Sequence, residues 1–263
     1  MSSHSLVFLL LLQFLFALDQ ALQLPRASSL TNSQQKQKST TAGAANIIFK
    51  STDGGQTWQD ISEGLPENLQ AEGIQRDGFV EKGSELYIRT GNGIYHRKPN
   101  STDPSWKKEV FPGDRTGDWA MKVVESNGVL MATSQNGILR STDGGKNWEC
   151  VLNEGGVGIA VERIEGGFAA ITYNTESETR RVRTSYDGGN TWQPIDAGLP
   201  ASLSIASIVQ VGEYFFCGHP TGIFRSSDQG KTWELLLPSI EDKVFNLSVS
   251  DDVIYAIPRP GGC

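Results

Sequence analysis

Residues 141–148 read STDGGKNW, an acid, two glycines and a tryptophan within eight positions. The same turn returns as STDGGQTW at 51–58, SYDGGNTW at 185–192 and SSDQGKTW at 226–233, and in shortened form as STDPSW at 101–106. Its tryptophans, Trp58, Trp106, Trp148, Trp192 and Trp233, follow one another at intervals of forty-odd residues. Self-similarity at that period is the mark of a repeat architecture, and forty-odd residues suit one four-stranded propeller blade.

The surroundings of the turn repeat with it. Before STDGGKNW come VLMATS, the turn QNG and ILRS; after it comes WECVL. The preceding copy offers ELYIRT, GNG and IYHRK, and the last offers YFFCGH, PTG and IFRSS. Short β-forming runs split by Asn-Gly or similar pairs read as hairpins. A further strand opens each unit: WAMKVVE at 119–125, IAVERIE at 159–165 and SIASIVQV at 204–211. Each unit therefore has four strands, with the acidic turn between the third and fourth.

The two ends complement each other. NIIFK precedes the first box with no earlier strands, and KVFNLSVS and VIYAIP at 243–258 follow the last box without a box of their own. Joined, they complete one blade and leave no open sheet edge between the ends. The expectation is an all-β, five-bladed propeller of four-stranded antiparallel blades over 46–258, closed by N- and C-terminal strands in one blade, with almost no helix and a short tail at 259–263.

Upstream, Leu6 to Leu18 reads LVFLLLLQFLFAL, an apolar run of signal-peptide length. Residues 1–27 are read as a cleaved export signal, and the polar stretch 28–45 as a disordered linker. The expected location is extracellular or periplasmic, with no membrane insertion after cleavage. A net charge of −7 argues against a nucleic-acid surface. Cys150, Cys217 and Cys263 make an odd count with no Cys-x-x-Cys pair, so buried free thiols are expected at 150 and 217, and no metal or other cofactor is implied. The sequons at Asn100 and Asn246 differ: the first falls in the shortened box, the second in an inner strand with no room for a glycan.

The motif S-x-D-x-G-x-T-W resembles the Asp-box, or BNR, repeat of sialidases, sortilin-type receptors and photosystem II assembly factors. The resemblance implies the propeller fold and places the boxes on the rim away from the ligand. Chemistry agrees. An Asp in a tight turn accepts hydrogen bonds from backbone N–H groups just downstream, a following glycine takes the unusual backbone angles, and the Trp packs into the sheet. Asp53, Gly55, Trp58, Asp143, Gly145, Trp148, Asp187, Gly189, Trp192, Asp228, Gly230 and Trp233 are accordingly structural.

Function is expected instead at the channel mouth, in the loops that feed the inner strands. Arg76, Arg115, Trp119 and Lys122 are the candidate ligand-binding residues, with Arg163 beside them. Glu72, Asp77, Asp118 and Glu162 are the carboxylates from which a glycosidase pair could be drawn. Gly64-Leu65-Pro66, Gly198-Leu199-Pro200 and Leu237-Pro238 read as repeated turns in the same loops. A sialidase would carry an Arg-Ile-Pro motif and an arginine triad; the nearest sequence, Pro258-Arg259-Pro260, is at the wrong end. The expectation is a monomeric, non-catalytic glycan- or protein-binding module. A glycoside hydrolase and an assembly or scaffold factor are the alternatives.

Overall fold

The computed structural model describes residues 46–69, 74–82, 85–90, 93–98, 105–109 and 123–260, all within one unit spanning 43–263. The proposed signal and linker, 1–45, lie outside the described residues. No described residue is helical.

The chain enters with β1 (Phe49–Ser51) and β2 (Gln59–Asp60), the two strands that flank the first acidic turn. The second sheet follows as β3 (Ile74–Lys82), β4 (Glu85–Thr90), β5 (Gly93–Arg97) and β6 (Lys107–Glu109). The third is β7 (Val123–Ser126), β8 (Val129–Ser134), β9 (Gly137–Ser141) and β10 (Glu149–Leu152). The fourth is β11 (Gly155–Ile164), β12 (Gly167–Asn174), β13 (Thr179–Ser185) and β14 (Gln193–Pro194). The fifth is β15 (Ser207–Val211), β16 (Tyr214–His219), β17 (Gly222–Ser226) and β18 (Glu234–Pro238). Finally β19 (Lys243–Ser250) and β20 (Val253–Pro260) join the opening pair as a sheet of order β19-β20-β1-β2. Phe49 lies opposite Ala256 and Lys50 opposite Tyr255, so both ends of the described chain share the first sheet. Five four-stranded antiparallel meanders in this order make a five-bladed β-propeller.

Local chemistry fixes the meander. Between β7 and β8 the turn is Asn127-Gly128, both left-handed with φ of +54° and +79°, as a two-residue hairpin loop requires. Alternation does the rest, since successive residues of a strand face opposite sides. On β8, Met131 faces the fourth sheet and packs with Val161, Phe168 and Ala170. On β12, Ala169 and Ile171 face the fifth sheet and pack with Ile208, Phe215 and Cys217. Phe216 and Ile223 meet Phe49, Phe245 and Ile254 between the fifth and first sheets, and Tyr255 and Ile257 meet Ile74, Leu86 and Ile88 between the first and second.

The long connections contribute too. Ile61, Leu65 and Leu69, after β2, are buried between the first and second sheets. Ile195 and Ile205, after β14, do the same between the fourth and fifth. The Gly-Leu-Pro turns at 64–66 and 198–200 are therefore one device used twice: each closes with a Leu N–H to carbonyl bond, Leu65 to Ser62 and Leu199 to Asp196. Leu237-Pro238 is not a third copy. It lies inside β18, paired with Ile223 and Gly222, because only four residues separate β18 from β19.

The cysteines divide. Cys217 is buried and free, its thiol pushed up by burial. Cys150, expected to be buried, is exposed: it sits on β10, the outermost strand of its sheet, where one side of the strand has no further cover. Asn246 lies in inner strand β19 opposite Ile257, while Asn100 and Cys263 lie outside the described residues.

Candidate functional site

A four-stranded meander has two ends. The turns between first and second strands and the acidic turns between third and fourth lie at one, here termed the box end. The connections between sheets, and the turns between second and third strands, lie at the other, the loop end.

The acidic turns are closed networks. In the fourth sheet, the Ser185 hydroxyl donates to Asp187 Oδ1 at 2.9 Å and accepts the Gly189 N–H at 2.9 Å. Thr191 donates its N–H to Asp187 Oδ1 at 2.9 Å and its hydroxyl to Oδ2 at 2.7 Å. Ser51, Asp53 and Thr57 repeat this, as do Ser226, Asp228 and Thr232; in the third sheet an Asn147 side-chain N–H replaces the threonine hydroxyl. Every carboxylate oxygen in these turns holds a donor. The backbone N–H and side chain of Asn147 hold Asp143 at about 2. Those of Thr191 and Thr232 do the same for Asp187 and Asp228. An acid fixed this low cannot donate a proton near neutrality.

The boxes also clamp sheets together. Gly189 has φ of +85°, and a Cβ there would come within 2.3 Å of Met131 in the preceding sheet. Arg140, which precedes the third box, donates to Gly188 O at 3.0 Å and to Asn190 Oδ1 at 2.6 Å in the fourth box. Arg225, which precedes the fifth, reaches Gly54 O at 3.2 Å in the first. Four of the five box tryptophans follow two habits, while Trp192 is packed between the third and fourth sheets with its Nε1–H buried and unpartnered. Trp58 and Trp148 donate Nε1–H to their own turns, at Gly55 O and Gly145 O. Trp106 and Trp233 donate across to the preceding connection, at Ile61 O (2.7 Å) and Ile195 O (2.8 Å).

The loop end holds the asymmetric residues. Inner strand β3 loses register between Ile74 and Phe79, and inner strand β11 between Gly155 and Ala160. Bulges of this kind re-aim side chains at barrel and propeller rims. Arg76 and Asp77 lie on the bulged part of β3, at the loop end. Glu72, Arg115, Asp118, Trp119 and Lys122 lie outside the described residues. Glu162 and Arg163 lie at the other end of their sheet from Gly155. They pair with Ala169 and Phe168 near the β11–β12 turn, at the box end, roughly 20 Å along the strand from Gly155. A ten-residue inner strand is too long for both of its ends to serve one mouth.

The fourth sheet also carries a charged cluster beneath the loop end that has no sequence motif. Glu154, in the tight connection before β11, accepts from Arg183 Nε at 2.9 Å and from Asn174 Nδ2 at 3.3 Å, and also bonds the Thr172 hydroxyl. Its side chain is 8% exposed. Beside it, Arg181 donates to both oxygens of Asp196, at 2.6 and 3.1 Å, and Asp196 also takes the Val182 N–H at 3.1 Å. Burial is the largest single influence and works to raise Glu154 and Asp196, but the arginine hydrogen bonds and charges, joined by Thr172 and Asn174 at Glu154 and by the Val182 N–H at Asp196, together outweigh it, and both lie below the usual carboxylate range. Two acids and two arginines, mutually neutralised, brace the bulged start of β11 rather than offer a reactive group. The available sequence signal was Arg181 and Arg183 two apart in a strand, hence on one face of a sheet that must pack. Among the described residues no cluster of three His, Cys, Asp or Glu could hold a metal ion.

Comparison with known proteins places this geometry. Residues 49–60 match the BNR/Asp-box repeat and residues 223–236 match a BNR-Asp box repeat. The chain is similar to xyloglucanase Xgh74A of Acetivibrio thermocellus, 29% identical over 133 residues, which is 41% of this chain and 15% of the relative. Among solved structures it is similar to the GH74 xyloglucanase of Xanthomonas campestris (14% identity, 81% of this chain and 39% of that one, TM-score 0.39). It is also similar to TolB of Acinetobacter baumannii (12% identity, 82% and 64%, TM-score 0.39). The chain thus spans under a sixth of the curated relative it matches. The turns built on Asp53 and Asp228 are BNR/Asp-box repeats in sequence and in hydrogen bonding, and the β-propeller carries them on its blades.

Proposed function

We propose that this chain is an exported, non-catalytic glycan-binding propeller that takes its ligand at the loop end. Arg76, Arg115, Trp119 and Lys122 are assigned to the sugar. Similarity to a xyloglucanase supports a plant-type polysaccharide as the ligand class. The observation that carries the non-catalytic reading is the state of the acids. Asp143, Asp187 and Asp228 are each held at about 2 inside their turns. Glu154 and Asp196 are each locked to an arginine. A glycosidase needs two carboxyl groups facing one cleft, one of them raised enough to be protonated.

A hydrolase is the second reading, favoured by the same relative. It draws its pair from Glu72, Asp77 and Asp118, since Glu162 lies toward the other end of its strand. The apolar run at 6–18 supports export.

The test is a glycan array that includes xyloglucan oligosaccharides, run on the purified protein and on Asp118→Ala and Trp119→Ala. Binding lost in both variants, with unchanged circular dichroism and no new reducing ends on prolonged incubation, is the expected result. Reducing ends that vanish in Asp118→Ala would replace the binding module with the hydrolase. Binding to no glycan at all would redirect the search to a protein ligand.

A further inference from the structure

The middle hairpins of the third, fourth and fifth sheets share one starting point at the box end. Leu130 pairs with Ser141, Phe168 with Ser185 and Phe215 with Ser226, each serine opening its acidic turn. Counted from there, the third and fifth sheets turn after the same number of residues, at Gln135-Asn136 and Pro220-Thr221. Gly137 and Gly222 then open the return strands with φ of +113° and +143°. In the second sheet too, strands of six and five residues are separated by two. The fourth sheet departs. Thr172 stands where Ser134 and His219 end their strands, and Arg181 where Gly137 and Gly222 begin theirs, yet β12 and β13 run on to Asn174 and Thr179. Residues 173–180, YNTESETR, therefore occupy what is a two-residue turn in the other three, all of it at the loop end.

Every residue from 173 to 180 is at least partly exposed, so the extension adds nothing to the core. It is nonetheless held firmly. Asn174 Oδ1 accepts the N–H groups of Glu176 at 3.0 Å and Ser177 at 2.8 Å. Arg180 donates its N–H to Ser202 O at 2.8 Å and Nη1 to Ile205 O at 2.9 Å. Glu154 with Asn174 and Arg183, and Asp196 with Arg181, brace its base. The innermost strand makes room for it. A Cβ at Gly155 would lie 2.0 Å from Thr175 Oγ1, and one at Gly156 2.5 Å from Tyr173 Cδ1. The Tyr173 ring thus rests, partly exposed, on the bulged start of β11. Insertions into single repeats map to loops on one face, often the binding face.

We propose that this extension is a wall of the ligand site and that Tyr173 packs its ring on the C–H face of a sugar; the proposal rests on the glycan-binding reading above. It gives that site a contact from the fourth sheet, whose Glu162 and Arg163 lie toward the box end. A tyrosine ring supplies large, rigid contact area at low entropic cost. A hairpin already braced by ion pairs spends little further ordering on binding, which accounts for bracing that serves no core.

Hydroxyl-radical footprinting of the full chain with xyloglucan oligosaccharides tests it. Tyr186 is the internal control, since its ring is 54% exposed and belongs to the fourth box. Oxidation of Tyr173 should fall in proportion to the oligosaccharide bound, while that of Tyr186 stays unchanged. Tyr173→Ala should weaken binding at least ~10-fold and Tyr173→Phe under ~3-fold, with the circular dichroism of both unchanged. Oligosaccharide bound with Tyr173 unprotected, or bound by Tyr173→Ala at the unmutated affinity, would overturn the role of the hairpin and leave the loop-end site standing. Protection of Tyr186 instead would move the ligand to the box end and overturn both. No binding at all would remove the glycan reading and this proposal with it.

Discussion

Trp148 and Trp233 occupy the same place in the same motif and live in different surroundings. Trp233 donates to Ile195 O on the preceding connection and packs in the cluster between the fourth and fifth sheets. Trp148 donates to its own Gly145 O and is 37% exposed. The motif builds the turn by itself; whether the turn also joins two sheets depends on what the preceding sheet presents. A repeat unit is thus half autonomous, and its stabilising value is set by its neighbour.

The largest test of that contrast is truncation of the two rings. Trp233→Ala, at a half-buried ring packed in that cluster, should cost up to about 3 kcal/mol, and Trp148→Ala well under half of that, by urea denaturation. Equal costs would mean the surroundings do not matter. Next comes Glu154→Ala. It removes a carboxylate that is 8% exposed from a half-buried arginine and should cost about 2–3 kcal/mol, whereas Glu149→Ala removes a carboxylate that is 61% exposed from a similarly placed Arg140 and should cost under about 1 kcal/mol.

The glycines sharpen the comparison further, because their backbone angles match. Gly145→Ala carries only the left-handed strain, about 1 kcal/mol, since φ is +88° and a Cβ would meet Leu130 and Trp148 at ordinary contact distance, 3.7 Å. Gly230→Ala, at φ +83°, adds a collision with Ile195 and should cost about 1–3 kcal/mol more. If the two prove alike, the collision at Gly230 is relieved by a small shift of Ile195.

The smallest effects depend on pH. His219 is buried, with Nε2 against Pro200 O at 2.9 Å and Nδ1 receiving the Thr221 N–H at 3.1 Å. A carbonyl only accepts, so Nε2 carries the proton and Nδ1 must stay bare. Burial therefore holds His219 below its ordinary 6.5, and the unfolded chain binds the extra proton first. Stability should fall as pH drops below about 6.5, and His219→Gln should flatten that limb. The box acids act in the same direction over a lower range. Lowered in the fold to about 2, they contribute fully above 3.8, and the contribution fades as pH falls from there toward 2. Melting temperatures between pH 2 and 8 separate the two limbs.

The fold was legible in the sequence because its information is repeated. One Asp-Gly-Gly turn is weak evidence for anything, but its return at forty-odd residues reveals period, strand count and the sharing of one sheet by both ends. The boxes' structural role was legible for the same reason. The loop end was not, because what matters there occurs once. Arg76 and Asp77 gave no sign that they fall on a bulge, which is a property of the register between β3 and β4. Glu162 looked like a partner for them because strand polarity does not reveal how far along a ten-residue strand a residue sits. The Glu154–Arg183 and Asp196–Arg181 pairs join residues 29 and 15 apart, across strands, with no local pattern to announce them.

The strand that pairs Phe49 with Ala256 also sets a schedule. During synthesis β1 emerges early and cannot find its partner until some two hundred further residues have left the ribosome. The second to fifth sheets can each form from contiguous chain as they appear, but the first cannot. Its formation is the step of greatest sequence separation, and the slowest to close by diffusion. Until then Ile47, Ile48 and Phe49 stand without their final cover, which makes the first strand of the propeller the one that waits longest for its partner.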